Sequence, residues 1–205
     1  MFSTLPNTLS VLRIALSPVF YALFTSGDPL QQQWSLAVFL VAALTDWYDG
    51  VLARRHNTVT TMGKFLDPLA DKVLTSAAFI AFATTGMVAW WMVLVIVIRD
   101  IAITLLRSLA EARGAHITTS KSAQTKTFIQ MAVLYYLLLA VVGRDVAWLR
   151  GALGVDTFAA LLDPVLVYVL MLAVTLITVG TGVQYLVDNR PFVRALLVGR
   201  RRVVD

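Results

Sequence analysis

Cysteine is absent from the chain, and charged residues are scarce. Without cysteine, the protein can form neither disulfides nor metal sites with thiolate ligands. Charged residues make up 14% of the chain, whereas about 25% is typical of soluble domains. Hydrophobic residues make up 59%, and the mean hydropathy is +0.78. This composition excludes an ordinary soluble domain and indicates an integral membrane protein.

Long apolar runs divide the chain into six candidate membrane spans, because a helix needs about 20 apolar residues to cross a bilayer. The spans lie at roughly 9–26, 34–54, 69–89, 90–111, 124–142 and 164–187. Helix-breaking residues stand between them, namely Pro29, Gly86 and the pair Asp163–Pro164. No internal repeat or second domain is found. We therefore expect one all-α membrane domain over 1–205, in which 190–205 form a basic tail.

Lysine and arginine are unevenly shared among the connections, and this bias predicts the orientation of the spans. The connections at 27–33 and 86–91 carry none, whereas 54–72, 111–126 and the tail carry most of them. Both termini are therefore expected in the cytoplasm. The net charge of +5 is modest, and we expect membrane lipids but no nucleic acid as partners.

Four aspartates lie between two apolar runs, where an ionised carboxylate is costly unless it has a partner and a function. Asp46 and Asp49 are three residues apart, and Asp67 and Asp71 are four apart, so each pair occupies one face of a helix. The connection between the two helices is short and basic. We expect these helices to be antiparallel neighbours that gather the four carboxylates in a polar cavity open to the cytoplasmic side.

Four negative charges in one cavity must take up protons or bind cations. Oxygen ligands suit hard cations, and two Mg²⁺ or Mn²⁺ ions would balance the four charges. We interpret the nearby His56 as a loop residue. The pattern favours a metal-dependent phosphoryl-transfer site. Two alternatives stay open at this point: the ion site of a membrane transporter, and buried ion pairs with Arg54 and Lys64.

The order of these residues resembles the signature of a known enzyme family. The CDP-alcohol phosphotransferases carry a signature similar to Asp46-x-x-Asp49-Gly50-x-x-Ala53-Arg54, eight residues, then Gly63-x-x-x-Asp67-x-x-x-Asp71. Every fixed position and both gaps agree. The resemblance implies a membrane enzyme of six helices, usually a homodimer, in which an alcohol displaces CMP from a CDP-linked substrate.

Looser similarity over roughly 5–135 points to one branch of that family. The segments LPNTLSVLRI, FLDPLADKV, RDIAITLLRSLAEARG and KSAQTKTFIQM resemble bacterial phosphatidylglycerophosphate synthases, although Ser10 stands where threonine is more usual. This resemblance implies transfer of the phosphatidyl group from CDP-diacylglycerol to glycerol 3-phosphate at the cytoplasmic face of a bacterial plasma membrane. Inositol phosphate, serine and phosphatidylglycerol are alternative acceptors, and the last would make the protein a cardiolipin synthase.

The resemblance also implies roles for individual residues. Metal ions would be held by Asp46, Asp49, Asp67 and Asp71, and Asp71 would also act as the base. The nucleotide of CDP-diacylglycerol would contact Asn7, Ser10, Gly50, Arg54 and Thr60.

The cations of the fourth and fifth helices predict where the phosphate of the acceptor binds. Arg107, Lys121 and Lys126 lie on or near the cytoplasmic ends of these helices. The excess of positive charge expected on the cytoplasmic side explains the presence of the two lysines about as well as phosphate binding does. Arg107, by contrast, lies inside an otherwise apolar helix. A cationic region of this kind favours a phosphorylated acceptor over serine or phosphatidylglycerol. Arg99 and Asp100 are expected to belong to structural ion pairs.

Overall fold

The computed structural model describes residues 5–56, 63–113 and 121–197, and all regular structure in these ranges is α-helical. For 5–8, 46–56, 63–68, 112, 121, 195 and 197 it describes the course of the helix but not the side chains. In chain order the helices are α1 (Leu5–Phe24), α2 (Pro29–His56), α3 (Gly63–Thr84), α4 (Trp90–Ala112), α5 (Lys121–Asp145), α6 (Ala147–Leu153), α7 (Val155–Leu161), α8 (Pro164–Asp188) and α9 (Arg190–Leu197). The predicted all-α fold is confirmed for the described ranges.

Each of the six predicted spans overlaps one long helix, namely α1, α2, α3, α4, α5 or α8. Within the described part of the chain, two stretches are long and apolar enough to cross a membrane: Ser122–Asp145, and Val155–Asp188, which joins α7 to α8. Leu9–Phe24 in α1 is apolar but shorter. Charged residues interrupt α4 at Arg99, Asp100 and Arg107, which lowers its hydropathy.

Residues at the helix boundaries behave as the sequence predicts. Gly86 adopts a φ of +74° in the turn that follows α3, a conformation that residues with a Cβ rarely adopt. Asp163 caps α8, because its Oδ1 accepts hydrogen bonds of 3.0 Å from the backbone N–H groups of Val165 and Leu166. Pro164 follows at the first position of the helix. These groups fix where α8 begins.

The connection between α5 and α8 contains α6 and α7, two short helices that the sequence did not predict. Gly143, near the end of α5, allows the close approach of α7. A Cβ at this position would lie 2.9 Å from the Phe158 ring, which is closer than atoms normally pack. The first part of the predicted basic tail at 190–205 is helical, since it forms α9, and its Phe192 is buried.

Aromatic side chains form the centre of the bundle. The Phe20 and Phe39 rings lie 5.4 Å apart and join α1 to α2. The Phe24 and Phe82 rings lie 5.3 Å apart and join α1 to α3. Each pair contributes about 0.5–1.5 kcal/mol beyond the burial of its surface. Within the described ranges α1 packs extensively against both α2 and α3, whereas α2 and α3 touch each other much less.

Large apolar side chains also cover much of the outer surface. Leu44, Ile98, Leu139, Val165 and Leu176 are all exposed. Soluble proteins rarely expose extensive apolar surface. A surface of this kind is expected where helices face lipid.

Candidate active site

Asp71 is the one member of the predicted carboxylate cluster whose side chain the structure describes. It projects from α3, and its side chain is 33% exposed. The Nζ of Lys72 donates a hydrogen bond of 3.1 Å to Asp71 Oδ2. Asp46 and Asp49 lie on α2, and Asp67 lies on α3 one turn before Asp71. Among the described side chains, no group of three or more potential metal ligands is found.

The helix that carries Ser10 lies against both helices of the carboxylate signature. Ser10 is buried on α1, and α1 packs against α2 and α3. Two further residues predicted to contact the nucleotide, Gly50 and Arg54, lie on α2. Asn7 lies near the start of α1, whereas Thr60 falls outside the described residues. In the described ranges α2 and α3 also make direct contact with each other. The predicted meeting of their carboxylate ends falls on 46–56 and 63–68, whose side chains lie outside the described ones.

A cavity of about 540 Å³ lies between α3, α4, α5 and α8. Its volume falls within the usual range for small-molecule sites, about 300–1,000 Å³. The charged side chains that line it are Asp71, Lys72, Arg99, Arg107 and Glu111. The cavity thus brings the candidate base, Asp71, together with Arg107, one of the cations predicted to bind the acceptor phosphate. Cations that line the same cavity as this carboxylate can attract an anionic substrate toward it.

Arg107 is the most accessible cation with a described ion pair at the cavity. Its Nε donates a hydrogen bond of 3.1 Å to Glu111 Oε1, and both side chains are 52% exposed. Pairs this exposed contribute only about 0–1 kcal/mol to stability. Arg107 can therefore exchange Glu111 for an anionic ligand at little cost.

Lys126 lies behind the cavity wall rather than on its surface. Its Nζ donates a hydrogen bond to Asp100, and Gln130 Nε2 donates another, of 3.1 Å, to the second carboxylate oxygen. Lys126, Asp100 and Gln130 are all buried, and none of them lines the cavity. The structure thus gives Lys126 a partner that accounts for its position without a ligand. The side chain of Lys121, at the start of α5, is outside the described part.

Arg99 is a cavity residue that the sequence did not assign to the site. It forms the predicted ion pair, since its Nη1 donates a hydrogen bond of 3.1 Å to Asp100 Oδ1. The same side chain also lines the cavity. The sequence contains a signal for this second role: positions 99, 103, 107 and 111 all line the cavity. Their four-residue spacing places them along one stripe of α4.

Comparison with known proteins identifies a family and several relatives. The sequence model of the CDP-alcohol phosphatidyltransferase family matches residues 3–162. A CDP-diacylglycerol–glycerol-3-phosphate 3-phosphatidyltransferase of Bacillus subtilis (strain 168) is 38% identical over 147 residues, which cover 66% of this chain and 76% of that protein. The enzyme of the same name from Rickettsia bellii is 36% identical over 145 residues, 71% of this chain and 80% of the relative. A probable phosphatidylglycerophosphate synthase of Mycobacterium tuberculosis (strain H37Rv) is 36% identical over 186 residues, covering 89% and 80%.

Proposed function

The chain belongs to the CDP-alcohol phosphatidyltransferase family, and we propose that it transfers the phosphatidyl group of CDP-diacylglycerol to glycerol 3-phosphate. The products are phosphatidylglycerophosphate and CMP. The names of the relatives from B. subtilis and R. bellii state this reaction. The structural observation that carries the proposal is the shared cavity, which is lined by the carboxylate residue Asp71 and by the cations Lys72, Arg99 and Arg107. A phosphorylated alcohol needs both kinds of group, a base for its hydroxyl and cations for its phosphate.

Asp71 acts as the general base in this proposal. Its carboxylate takes the proton of the primary hydroxyl of glycerol 3-phosphate as that oxygen attacks the phosphorus bearing the diacylglycerol. A new phosphorus–oxygen bond forms, and the bond from this phosphorus to the oxygen of CMP breaks. The partial exposure of Asp71 at the cavity leaves its carboxylate within reach of a substrate.

Asp46, Asp49, Asp67 and Asp71 would hold divalent cations, Mg²⁺ or Mn²⁺, with two ions per site. The donor set fits such ions, because it offers carboxylate oxygens and no soft ligand. The described part of the set fits as well. Asp71 is partly exposed, and its interaction with Lys72 is a single contact of 3.1 Å that a stronger cation can replace. When bound, the metal neutralises the pyrophosphate and stabilises the charge of the departing CMP.

The nucleotide of CDP-diacylglycerol would lie between α1 and α2, against Asn7, Ser10, Gly50 and Arg54, with Thr60 in the following connection. Packing of α1 on α2 supports this assignment. The guanidinium of Arg54 can form two parallel hydrogen bonds to phosphate oxygens. The acyl chains of the donor would extend into the surrounding lipid.

The phosphate of the acceptor would bind at the cationic side of the cavity. Arg107 is the first contact, because it lines the cavity and its pair with Glu111 is weak. Lys121, at the start of α5, is the second. A contact from Lys126 stays a prediction, and it would require the buried pair with Asp100 to open.

The protein would cross a bacterial plasma membrane six times, as one domain and as a homodimer. Both termini and the cavity would face the cytoplasm. Six long helices support the number of spans, and large apolar side chains are exposed on the described part of each of them except α3. The concentration of lysine and arginine in alternate connections supports the orientation.

An acceptor panel tests the proposed reaction. Purified protein is supplied with CDP-diacylglycerol, Mg²⁺ and one acceptor at a time, and the release of CMP is measured. Glycerol 3-phosphate is expected to be the best acceptor, ahead of inositol phosphate, serine and phosphatidylglycerol. Asp49→Asn should abolish release, whereas Asp156→Asn, at an exposed position of α7, should not. Faster release with another acceptor would reassign the substrate, and no release with any acceptor would reject the reaction.

A further inference from the structure

The α8 wall of the cavity lies outside the residues matched by the family's sequence model, which end at 162. Even so, α8 makes direct contact with Arg99 through Thr181 and Gly182. We propose that α8 positions Arg99 to bind the phosphate of the acceptor, and that Thr181 and Gly182 are the positioning residues. The inference rests on the proposed function, because it concerns the acceptor side of the same cavity.

Thr181 presents an oxygen lone pair to the guanidinium of Arg99. Its hydroxyl has a single proton, which lies within reach of the backbone carbonyls of Ile177, at 2.8 Å, and Thr178, at 3.2 Å. With the proton directed at the helix, the hydroxyl oxygen is left to accept. Arg99 Nη2 donates to this oxygen across 3.0 Å. The backbone of α8 therefore determines where the hydrogen-bond acceptor for Arg99 lies.

Asp100 holds the other side of the guanidinium. Its carboxylate accepts hydrogen bonds from Arg99 Nη1, from Lys126 and from Gln130. Two cations thus share one buried carboxylate, which leaves the three charged groups with an excess of one positive charge. Excess charge away from water is costly unless an anion is close. Arg99 is the member of this group that lines the cavity, and an anionic phosphate there would balance the charge.

Gly182 determines how far Arg99 can approach α8. A Cβ at this position would lie 3.1 Å from Arg99 Nε and 3.2 Å from Arg99 Cγ. The side chain would have to move away, yet its two terminal nitrogens are already bonded to Asp100 and Thr181. Alanine at 182 would therefore stretch one of these hydrogen bonds and displace the guanidinium. The absence of a side chain at Gly182 is what allows the observed position.

Arg99 and Arg107 can serve one phosphate together. They are eight residues apart on the cavity-lining stripe of α4, which corresponds to roughly 12 Å along the helix axis. Two extended arginine side chains can converge on a group that binds between them. Arg107 is half exposed and weakly paired, whereas Arg99 is fixed on two sides. Arg99 would thus provide the rigid contact and Arg107 the adaptable one.

A matched pair of glycine variants tests the role of Gly182. Gly182→Ala is compared with Gly180→Ala, because a Cβ at Gly180 would meet no atom within 4 Å. Both changes improve the helix propensity of α8 to a similar extent. We expect Gly182→Ala to raise the KM for glycerol 3-phosphate roughly tenfold, as expected for one weakened charge-assisted hydrogen bond. The KM for CDP-diacylglycerol should not change, and Gly180→Ala should match the wild type in both.

A second pair of variants tests the hydroxyl of Thr181. Thr181→Val removes the hydrogen-bond acceptor while keeping the shape, and it should raise the acceptor KM by a similar factor. Thr181→Ser restores the oxygen, so its acceptor KM should return toward the wild-type value. This pair decides the matter if Gly182→Ala does not fold, and thermal unfolding of each variant reports folding directly.

The outcomes separate this inference from the proposed function. If the wild type releases no CMP from CDP-diacylglycerol and glycerol 3-phosphate, the proposed function fails. If the wild type is active but Thr181→Val and Thr181→Ser share one acceptor KM, the positioning role is rejected. Equal increases in the KM of both substrates would also reject it, because a general distortion of the bundle does not distinguish donor from acceptor.

Discussion

Lys126 and Arg107 are both cations near one cavity, but neutralising them should have different consequences. Neutralising Lys126 should lower stability, whereas neutralising Arg107 should weaken binding of the acceptor. Lys126 and Asp100 have side chains that are 3% and 4% exposed, and removing one partner of a buried ion pair costs about 3–5 kcal/mol. Arg99 and Gln130 still bind Asp100 in Lys126→Gln. The loss should therefore fall at the lower end, about 3 kcal/mol in the free energy of unfolding.

Arg107→Gln should instead leave stability nearly unchanged, because Arg107 and Glu111 are each 52% exposed and such pairs contribute about 0–1 kcal/mol. Its effect should be on binding. A charge-assisted hydrogen bond to phosphate contributes about 1.5–3 kcal/mol, so the acceptor KM should rise roughly ten- to a hundredfold. Arg107→Lys should recover part of this loss, because lysine cannot make the two-pronged contact.

The assay combines denaturant unfolding in one detergent with steady-state kinetics against both substrates, for Lys126→Gln, Arg107→Gln and the control Arg113→Gln. Arg113 is exposed at the end of α4 and does not line the cavity, so its variant should resemble the wild type. The reasoning is refuted if Lys126→Gln is as stable as the wild type and raises only the acceptor KM. That result would mean that Lys126 leaves Asp100 to bind the acceptor. An unchanged acceptor KM in Arg107→Gln would remove Arg107 from the site.

Three further predictions follow from the site and from the packing of the short helices. Excess chelator should abolish CMP release and added Mg²⁺ or Mn²⁺ should restore it; full activity in chelator would contradict the metal assignment. Asp71→Asn should abolish turnover while CDP-diacylglycerol still binds, which binding and turnover measured on one sample will check, with Asp156→Asn as the control; retained turnover would exclude Asp71 as the base. Gly143→Ala should lower the unfolding temperature, because its Cβ would lie 2.9 Å from the Phe158 ring. Gly151→Ala is the control, because a Cβ at position 151 would meet no atom within 4 Å. Equal unfolding temperatures of the two variants would show that the ring can move aside.

The course of the long helices could be predicted from the sequence because its signals are local. Apolar runs of sufficient length and breakers such as Gly86 and Asp163–Pro164 act within a few residues of the boundary they set. The short helices α6 and α7 were not predicted, since seven residues carry too little periodicity to identify a helix.

The cavity could not be predicted from the sequence, because it depends on contacts between residues that are far apart along the chain. Lys126 and Asp100 are 26 residues apart, and only the folded bundle, in which α4 and α5 both pack on α8, shows that they meet. Arg99 was correctly predicted to be paired, yet its exposure to the cavity depends on α8, where Thr181 is 82 residues away. By contrast, Asp71 and Arg107, which both line the cavity, lie on helices that the carboxylates and the charge bias had already singled out, and their roles stay predictions.

The buried pair of Asp100 and Lys126 also bears on how the protein is made. In a chain whose α4 and α5 cross the bilayer, α5 inserted alone would carry the charge of Lys126 into hydrocarbon, at about 2.5–3.5 kcal/mol during translocon insertion. Asp100, by contrast, already has a partner on its own helix in Arg99. The two helices are adjacent in sequence, and Lys126 gains a carboxylate partner once it meets Asp100. Joint entry of the two helices would avoid most of this cost. The order of biogenesis would then have α4 wait at the translocon until α5 has been synthesised.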